Sequence, residues 1–233
     1  MNLSPWGPVT VAGHLGGGHR NEVLELRRGG EPLVARQSSR SDAALGWELE
    51  LLDFLAGHGF RVPAVVPAAD GRRQVDGVVV QRWLAGRPPG AEDWPAVAAE
   101  LRRLHAVTAG WSQRPGFRSC RDLLTASRGG DVDLEAMPAA AVAACRRAWG
   151  ALSGSLAVVH GDPCAANVRV GDAGVGSLDW DESRVDHPAL DLADLPGVLP
   201  REHVARAAVD AWEAAAGWLA EPEYARDRLA RLG

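Results

Sequence analysis

Residues 1–84 show the alternation of apolar and polar positions that is typical of half-buried strands. A helical repeat interrupts this alternation, because Leu45, Leu49 and Leu52 recur on one face of residues 42–57. Glycine-containing turns separate the strand-like segments. The pattern therefore predicts a small antiparallel sheet with one inserted helix, with strands at residues 9–14, 22–27, 32–37, 62–66 and 75–81.

Beyond residue 90 the apolar positions follow a helical period instead. The clearest break between the two patterns is the run Gly86-Arg87-Pro88-Pro89-Gly90, where glycine and proline interrupt regular structure. We therefore expect an α+β protein with two lobes, a sheet-containing lobe at residues 1–84 and a mainly helical lobe at residues 85–233. The helices of the second lobe are predicted at residues 94–107, 139–152 and 201–216.

A polar loop between the last two of these helices carries His160, Asp162 and Asn167 in the pattern His-x-Asp-x4-Asn. Twelve residues later, Asp179 ends an apolar run. Because short strand-like runs flank the loop, we expect Asp162, Asn167 and Asp179 to emerge at one rim. The runs lie at residues 156–159, 168–170 and 175–178.

These residue types match the needs of phosphoryl transfer from a nucleotide. One carboxylate accepts the proton of the attacking hydroxyl group, while an amide oxygen and a second carboxylate hold Mg²⁺ on the phosphates. The alternative interpretation is a polar turn whose Asp and Asn side chains satisfy nearby backbone groups.

Two features of the N-terminal part could serve a nucleotide. Gly16, Gly17 and Gly18 lie between two predicted strands, where glycine lets the backbone approach phosphate oxygens. Arg36 ends a predicted strand and Glu48 lies on the following helix, so a cation steadied by a carboxylate could hold phosphates. Taken singly, these features suit a hairpin, a solvated strand residue and an exposed acid. Their order along the chain, together with the polar loop, favours a nucleotide site.

Composition excludes several classes of protein. The 233 residues are 46% hydrophobic and 24% charged, as in an ordinary soluble globular protein. No stretch is long enough to span a bilayer, and the first residues lack the basic and apolar regions of a secretion signal. Three cysteines without metal-ligand spacing fit reduced thiols, so a cytoplasmic protein without membrane association is expected. A formal net charge of −5 tells against nucleic-acid binding.

The order of the glycine loop, Arg36, Glu48, the His-x-Asp-x4-Asn loop and Asp179 resembles the aminoglycoside phosphotransferase family, which has a protein-kinase-like fold. The resemblance extends to about residue 195. Its specific segments are residues 15–23, 47–63, 101–105, 160–167, 178–180 and 188–193.

This resemblance implies a role for each candidate residue. It makes Asp162 the catalytic base, with Asn167 beside it in the catalytic loop. It makes Asn167 and Asp179 the ligands of Mg²⁺, and it makes Arg36 and Glu48 the pair that positions the phosphates.

The resemblance also implies a hinge at residues 81–84, including Gln81 and Trp83, whose backbone takes the purine edge of ATP or GTP. His160 would brace the catalytic loop, and Asp191 would order that loop rather than touch substrate. The chain departs from the family's usual pattern at Arg36, where lysine is commoner and is not equivalent to arginine.

The leading prediction is a kinase that transfers the γ-phosphate of ATP or GTP to a hydroxyl group of a small acceptor. Residues 160–233 hold 14 acidic residues against 7 arginines, so the acceptor is predicted to be cationic. An aminoglycoside or other antibiotic, an amino alcohol and a related metabolite all fit this description. Asp181, Glu182 and Asp186 are predicted to line the acceptor site, with a solvated acidic surface as the alternative.

Two other classes of function stay open at this stage. A nucleotide-binding regulatory protein of the same fold would have lost catalysis, although Asp162, Asn167 and Asp179 are all present. A metal-dependent hydrolase would use His160, Asp162, Asp179 and His187 as ligands, but it leaves the features of the N-terminal part unexplained.

Overall fold

A computed structural model describes residues 1–16, 21–200 and 203–233. Contacts between residues divide the chain into two compact units. The first unit comprises Met1–Pro88 and Ala165–Leu178, and the second comprises Pro89–Cys164 and Asp179–Gly233. The lobe division at residues 84 and 85 stays a prediction.

The first unit is built on a four-stranded antiparallel sheet in the order β1-β2-β3-β4. One helix, α1, connects the third strand to the fourth, and a separate hairpin pairs β8 with β9. The elements are β1 (Thr10–His14), β2 (Glu22–Arg28), β3 (Glu31–Gln37), α1 (Asp42–Gly57), β4 (Val78–Arg82), β8 (Val168–Gly171) and β9 (Gly174–Ser177).

Local chemistry explains two of these elements. Gly29 and Gly30 have φ angles of 57° and 88°, so the turn between β2 and β3 uses the left-handed backbone that glycine adopts without strain. The Ser41 side chain accepts a hydrogen bond from Ala44 N at 3.3 Å and caps the first turn of α1. Both the turn and the helix cap depend only on residues that are close together in the sequence.

The second unit is mainly helical. Its central short sheet pairs β7 with β10 in antiparallel register, with Val158 opposite Val185. The elements are α2 (Trp94–Val107), β5 (Arg128–Gly129), β6 (Val132–Asp133), α3 (Ala139–Gly150), β7 (Ala157–Val159), β10 (Arg184–Asp186), α4 (Ala189–Ala193), α5 (Val204–Gly217) and α6 (Pro222–Ala230).

The core of the second unit forms where α3 packs on α5. Trp149 of α3 is fully buried, and its indole Nε1 donates to Ala208 O at 3.2 Å. Small residues on α5, among them Ala208 and Ala211, let the two helices approach closely enough for this bond. Because this face of α5 is packed against α3, the polar face of α5 points away from that contact.

Residues 62–66 differ from the sequence prediction, because they form no regular strand. Val65 makes a single bridge to Gln81, and Val66 N donates to Val80 O at 2.8 Å. Pro63 within this segment and Pro67 directly after it have no N–H to donate, which keeps a continuous ladder from forming.

The other predicted elements appear with small shifts at their ends. The last predicted strand of the first sheet begins at Val78, and the predicted helix at 201–216 begins at Val204 within the described residues. Among the described residues, no helix is both long enough and apolar enough to cross a membrane.

Candidate active site

The residues singled out from the sequence are shared between the two units. Asp162 and Asp179 belong to the second unit, together with the three acidic residues that follow Asp179. The first unit carries Gly16, Arg36, Glu48, Gln81, Trp83 and Asn167. Gly17 and Gly18 lie outside the described residues.

The loop that carries Asp162 leaves β7 through His160 and Gly161. His160 is completely buried, whereas Asp162 is exposed. Gly161 has a φ of 96°, and a Cβ atom there would lie 2.7 Å from Glu182 O. The position thus requires glycine for two reasons, the left-handed backbone and the close approach of the segment after Asp179. The chain turns sharply outward at this glycine and presents Asp162 to solvent.

Asp191 on α4 holds the backbone directly before Asp162. Its Oδ2 accepts a hydrogen bond from His160 N at 2.8 Å, and its Oδ1 accepts one from Gly161 N at 3.0 Å. His105 Nε2 lies 2.9 Å from the same Oδ2. These contacts match the ordering role that the family resemblance implied for Asp191.

The environment of Asp191 stabilises its charged form. Burial by itself raises the pKa of the carboxyl group, but this effect is outweighed. The hydrogen bond and charge of His105, the charge of His160 and the amide of Gly161 together lower the pKa of Asp191 below its usual value. Asp191 is therefore a satisfied buried anion with a structural task.

His160 is fixed on its other side by an aromatic contact. Its ring centroid lies 4.6 Å from that of Trp180, with an angle of 52° between the ring planes. Its Nδ1 lies 3.4 Å from Asp162 N, where it can accept a hydrogen bond. Cys164 lies in the same loop, and its Sγ is 3.7 Å from Asp162 Oδ2. The side chain of the predicted base is thus attached to a backbone with several fixed points.

Arg114 organises the segment that follows Asp179. It is almost fully buried, and its Nη1 donates to the carbonyl oxygens of Trp180, Asp181 and Ser183 at 3.2, 2.8 and 3.2 Å. Its guanidinium carbon also lies 4.7 Å from the centroid of the Phe117 ring. Sequence reasoning missed Arg114, because it lies outside any regular element and its partners are 66 to 69 residues away.

The three predicted acceptor residues occupy different environments. Asp181 is buried, Glu182 is half-buried, and Asp186 is fully buried on β10. Glu182 contacts the catalytic loop through its backbone at Gly161.

Asp186 is engaged inside the protein. Its Oδ1 accepts from Cys120 N at 3.0 Å and His187 N at 2.9 Å, and its Oδ2 accepts from Arg184 Nε at 3.0 Å. Both carboxylate oxygens are therefore occupied by internal donors. The predicted contact of Asp186 with the acceptor stays a prediction.

Asp179 has an unusual backbone for a residue with a side chain. It is exposed and has a φ of 53°, in the left-handed region that aspartate tolerates better than most residues. The preceding residue, Leu178, donates its amide to Asn167 O at 2.7 Å. The residue directly before Asp179 is thus hydrogen-bonded to the backbone of Asn167.

In the first unit, Arg36 and Glu48 form a buried ion pair. Arg36 Nη2 donates to Glu48 Oε1, and both side chains are almost fully buried. Arg36 lies on β3 and Glu48 on α1, so the pair ties the sheet to its helix. The structure therefore brings these two predicted residues together, 12 positions apart in the chain.

The remaining predicted nucleotide residues of the first unit have the following positions. Gly16 is exposed after β1, and Gln81 is half-buried on β4 opposite Val34. Trp83 is 41% exposed, and its amide donates to Pro32 O at 3.3 Å. Their roles in nucleotide binding stay predictions.

The candidate ligands of a metal-dependent hydrolase do not form a cluster within the described part of the chain. Within residues 1–16, 21–200 and 203–233, no group of three or more His, Cys, Asp and Glu side chains could hold a metal ion. The four candidate ligands of that alternative, His160, Asp162, Asp179 and His187, all lie in these ranges.

Comparison with known proteins identifies the family of the chain and solved structures of similar fold. The sequence model of the phosphotransferase enzyme family matches residues 13–230. No curated protein matches the chain significantly.

Several solved structures have a similar fold at low sequence identity. A microcompartment-associated aminopropanol kinase is 18% identical with a TM-score of 0.66, over 99% of this chain and 92% of that chain. An amicoumacin kinase in complex with AMP-PNP and Ca²⁺ is 18% identical with a TM-score of 0.63, over 97% and 81%. An aminoglycoside phosphotransferase in complex with ADP and hygromycin B is 14% identical with a TM-score of 0.63, over 97% and 94%. These similarities confirm the predicted α+β, protein-kinase-like fold.

Proposed function

The chain belongs to the phosphotransferase enzyme family, and we propose that it transfers the γ-phosphoryl group of ATP or GTP to a hydroxyl group of a small, cationic acceptor. Membership confirms the resemblance that the motifs predicted. The donor, the acceptor and the residue roles below are the proposal.

The observation that carries the proposal is the support of the loop before Asp162. Asp191 holds the amides of His160 and Gly161, so the backbone leading to Asp162 is fixed while its carboxylate stays exposed. A general base needs this combination, because the geometry must be set before the substrate arrives and the carboxylate must be reachable.

Asp162 is the base in the proposed reaction. It accepts the proton of the acceptor hydroxyl while that oxygen bonds to the γ-phosphorus and the bond to the leaving phosphate oxygen breaks. The products are the phosphorylated acceptor and the nucleoside diphosphate.

Arg36 and Glu48 are proposed to position the nucleotide phosphates. Glu48 pairs with the guanidinium of Arg36, and the planar fork of arginine matches the geometry of phosphate oxygens. An arginine at this position keeps a positive charge at any physiological pH, and it can bind two phosphate oxygens at once.

The family implies a divalent metal, and the donor set fits Mg²⁺. An amide oxygen and a carboxylate are hard ligands, and Mg²⁺ in phosphoryl-transfer sites is held by one or two such groups plus phosphates and waters. Asn167 and Asp179 would hold the ion. When bound, Mg²⁺ would neutralise charge on the phosphates.

The proposed acceptor class has two supports. The acidic residues of 160–233 outnumber the arginines two to one, which favours cationic molecules. One structural neighbour is by name an aminopropanol kinase, so this fold carries amino alcohol phosphorylation in that protein.

A matrix of donors and acceptors tests the proposal. ATP and GTP with Mg²⁺ are each combined with 1-amino-2-propanol, choline and hygromycin B, and the phosphorylated product is measured by mass spectrometry. Transfer to at least one amine-bearing acceptor is expected. Nucleotide binding without transfer to any acceptor would instead favour the catalytically inactive alternative.

The variant Asp162→Asn tests the base with the acceptor that reacts. It should lower kcat by about 10²–10⁴-fold while leaving the Tm unchanged, because only the proton-accepting group is lost. Asp172→Asn is the matched control, because Asp172 is an exposed aspartate in the turn between β8 and β9. Retention of more than about a tenth of the wild-type kcat by Asp162→Asn would remove Asp162 from the mechanism.

A further inference from the structure

The backbone directly after Asp179 folds into a tight turn. Ser183 donates to Trp180 O twice, from its N at 3.1 Å and from its Oγ at 2.6 Å. The carbonyl oxygens of Trp180, Asp181 and Ser183 all lie within 3.2 Å of Arg114 Nη1. Their partial negative charges would repel each other without a cation between them, so the turn depends on the guanidinium.

The loop that carries Arg114 is itself anchored to the second unit. The side chain of Gln113 bonds both backbone groups of Val185 on β10, donating to Val185 O at 2.8 Å and accepting from Val185 N at 2.9 Å. Arg114 N donates to Gln113 Oε1 at 2.8 Å, and Phe117 N donates to Arg114 O at 3.0 Å. The position of the guanidinium is therefore set by the backbone on both sides of it.

Asp179 needs such support because of its backbone conformation. Its φ of 53° lies in the left-handed region, where a residue with a side chain stays only if surrounding contacts hold it. Trp180, the next residue, is 3% exposed, and its carbonyl group is one of the three that Arg114 holds. Since the backbone angles set the direction of the Cα–Cβ bond, release of the turn would redirect the exposed carboxylate of Asp179.

The same turn also contacts the catalytic loop, which gives Arg114 a second possible route of action. The Trp180 ring lies 4.6 Å from that of His160, two residues before Asp162. Arg114 bonds directly to the residue after Asp179, whereas it reaches Asp162 only through Trp180 and His160. The shorter route leads to the proposed metal ligand.

We propose that Arg114 is a positioning residue that sets the affinity of the protein for its divalent metal ion, because it holds the turn that directs the Asp179 carboxylate. This inference rests on the proposed function, in which Asp179 is a ligand of Mg²⁺. It gives Arg114 a task in metal binding, although Arg114 itself contacts only the backbone of the turn.

The test measures the metal dependence of nucleotide binding without catalysis. Calorimetry gives the Kd of AMP-PNP in EDTA and at a series of Mg²⁺ concentrations, for wild type, Arg114→Met and Arg114→Lys. Arg114→Met should raise the Mg²⁺ concentration for half of the gain in affinity by about 10–100-fold, the usual effect of removing a group that orients a metal ligand. The Kd in EDTA should stay unchanged.

Arg114→Lys keeps the test decisive if Arg114→Met does not fold. A lysine ammonium keeps the positive charge and has three N–H donors, but its side chain is shorter than that of arginine. Arg114→Lys should therefore raise the Mg²⁺ requirement less than Arg114→Met does, and still above that of wild type. A Mg²⁺ requirement equal to that of wild type in the variants that fold would overturn the inference.

Arg146→Met is the matched control for a purely structural loss. Arg146 is a half-buried arginine of α3 that also holds backbone carbonyls of the second unit, Leu123 O and Ala126 O, both at 3.1 Å. Its substitution should lower the Tm and leave the Mg²⁺ requirement unchanged. Equal shifts of the Mg²⁺ requirement in Arg146→Met and Arg114→Met would overturn the inference, because they would reflect general destabilisation.

Kinetics with a reacting acceptor separates the two routes of action. In Arg114→Met the KM for Mg²⁺ should rise, while kcat at saturating Mg²⁺ should stay close to that of wild type. A lower kcat with an unchanged Mg²⁺ requirement would overturn the inference, because Arg114 would then act on Asp162 through Trp180 and His160.

Binding also separates this inference from the proposed function. If wild type phosphorylates no acceptor, the proposed function fails, and the binding of AMP-PNP decides the inference alone. A gain in affinity from Mg²⁺ that Arg114→Met weakens would support it. An equal gain in both proteins, or no gain in wild type, would overturn it.

Discussion

Asp191 and Glu213 are carboxylates of the same unit that are both drawn into the protein, yet their pKa values move in opposite directions. Burial raises the pKa of each. Around Asp191, His105, the charge of His160 and the amide of Gly161 outweigh burial and lower the pKa. Around Glu213, the charge of Arg228, the hydroxyl group of Tyr224 and the charge of Arg184 do not outweigh burial. The charge of Asp162 adds to the rise.

This difference separates a carboxylate that several internal donors hold from one whose charged form the protein stabilises less. A carboxylate with several internal donors is already paired, so its loss damages the fold. A carboxylate with one hydrogen-bond donor has less internal stabilisation of its charged form, so its loss costs the fold less. Glu48 in the first unit belongs with Asp191, because Arg36 pairs with it inside the protein.

The largest expected effect concerns the structural side of the comparison. Asp191→Ala should lower the free energy of unfolding by about 3–5 kcal/mol, because His105 and the amides of His160 and Gly161 lose their acceptor. Asp194→Ala is the control, since Asp194 is exposed and pairs with arginines only at 3.6 and 3.8 Å. Denaturant unfolding measures both. Similar losses in the two variants would remove the distinction drawn for Asp191.

The Arg36–Glu48 pair gives an intermediate effect and extends the comparison to the first unit. A double-mutant cycle with Arg36→Ala, Glu48→Ala and the double variant should show a coupling of about 0.5–3 kcal/mol, because the two side chains share one buried contact. Arg36→Ala should also raise the KM for nucleotide. Stability is read from denaturant unfolding and KM from initial rates, and strict additivity in both would contradict a shared network.

The smallest expected effect is the pH dependence of stability, to which Asp191 and Glu213 contribute with opposite signs. The pKa of Asp191 is lowered in the folded protein, so its contribution to stability is present above the unfolded pKa and is lost as pH falls through the folded pKa. The pKa of Glu213 is raised, so its contribution is present below the unfolded pKa and is lost as pH rises through the folded pKa.

A scan of Tm against pH checks these signs. Relative to wild type, Glu213→Gln should gain in Tm as pH rises from the unfolded pKa of glutamate through the raised folded value. Asp191→Asn should lose part of the acid sensitivity below the unfolded pKa of aspartate. Parallel curves for Glu213→Gln and wild type would mean that the Glu213 carboxyl titrates as it does in the unfolded chain.

Sequence patterns predicted most elements because the signals for them are local. The leucine repeat of α1 and the alternation in β2 and β3 need only neighbouring residues to be recognised. The predicted strand at residues 62–66 is the exception, since Pro63 within it and Pro67 after it outweigh its apolar content. Arg36 and Glu48 were predicted as a pair from their order in the chain, and the structure brings them into contact.

The sequence by itself determined the α+β class, the family and the polar loop around Asp162, because periodicity and motif spacing are written in neighbouring residues. Only the tertiary structure decided which acids are paired. Asp191 meets His105 across 86 positions, Arg114 meets the backbone after Asp179 across 66 to 69, and Tyr224 meets Glu213 across the junction of two helices. The charge state of a carboxylate depends on how many donors packing brings to it and how much water packing removes, and no local pattern encodes either quantity.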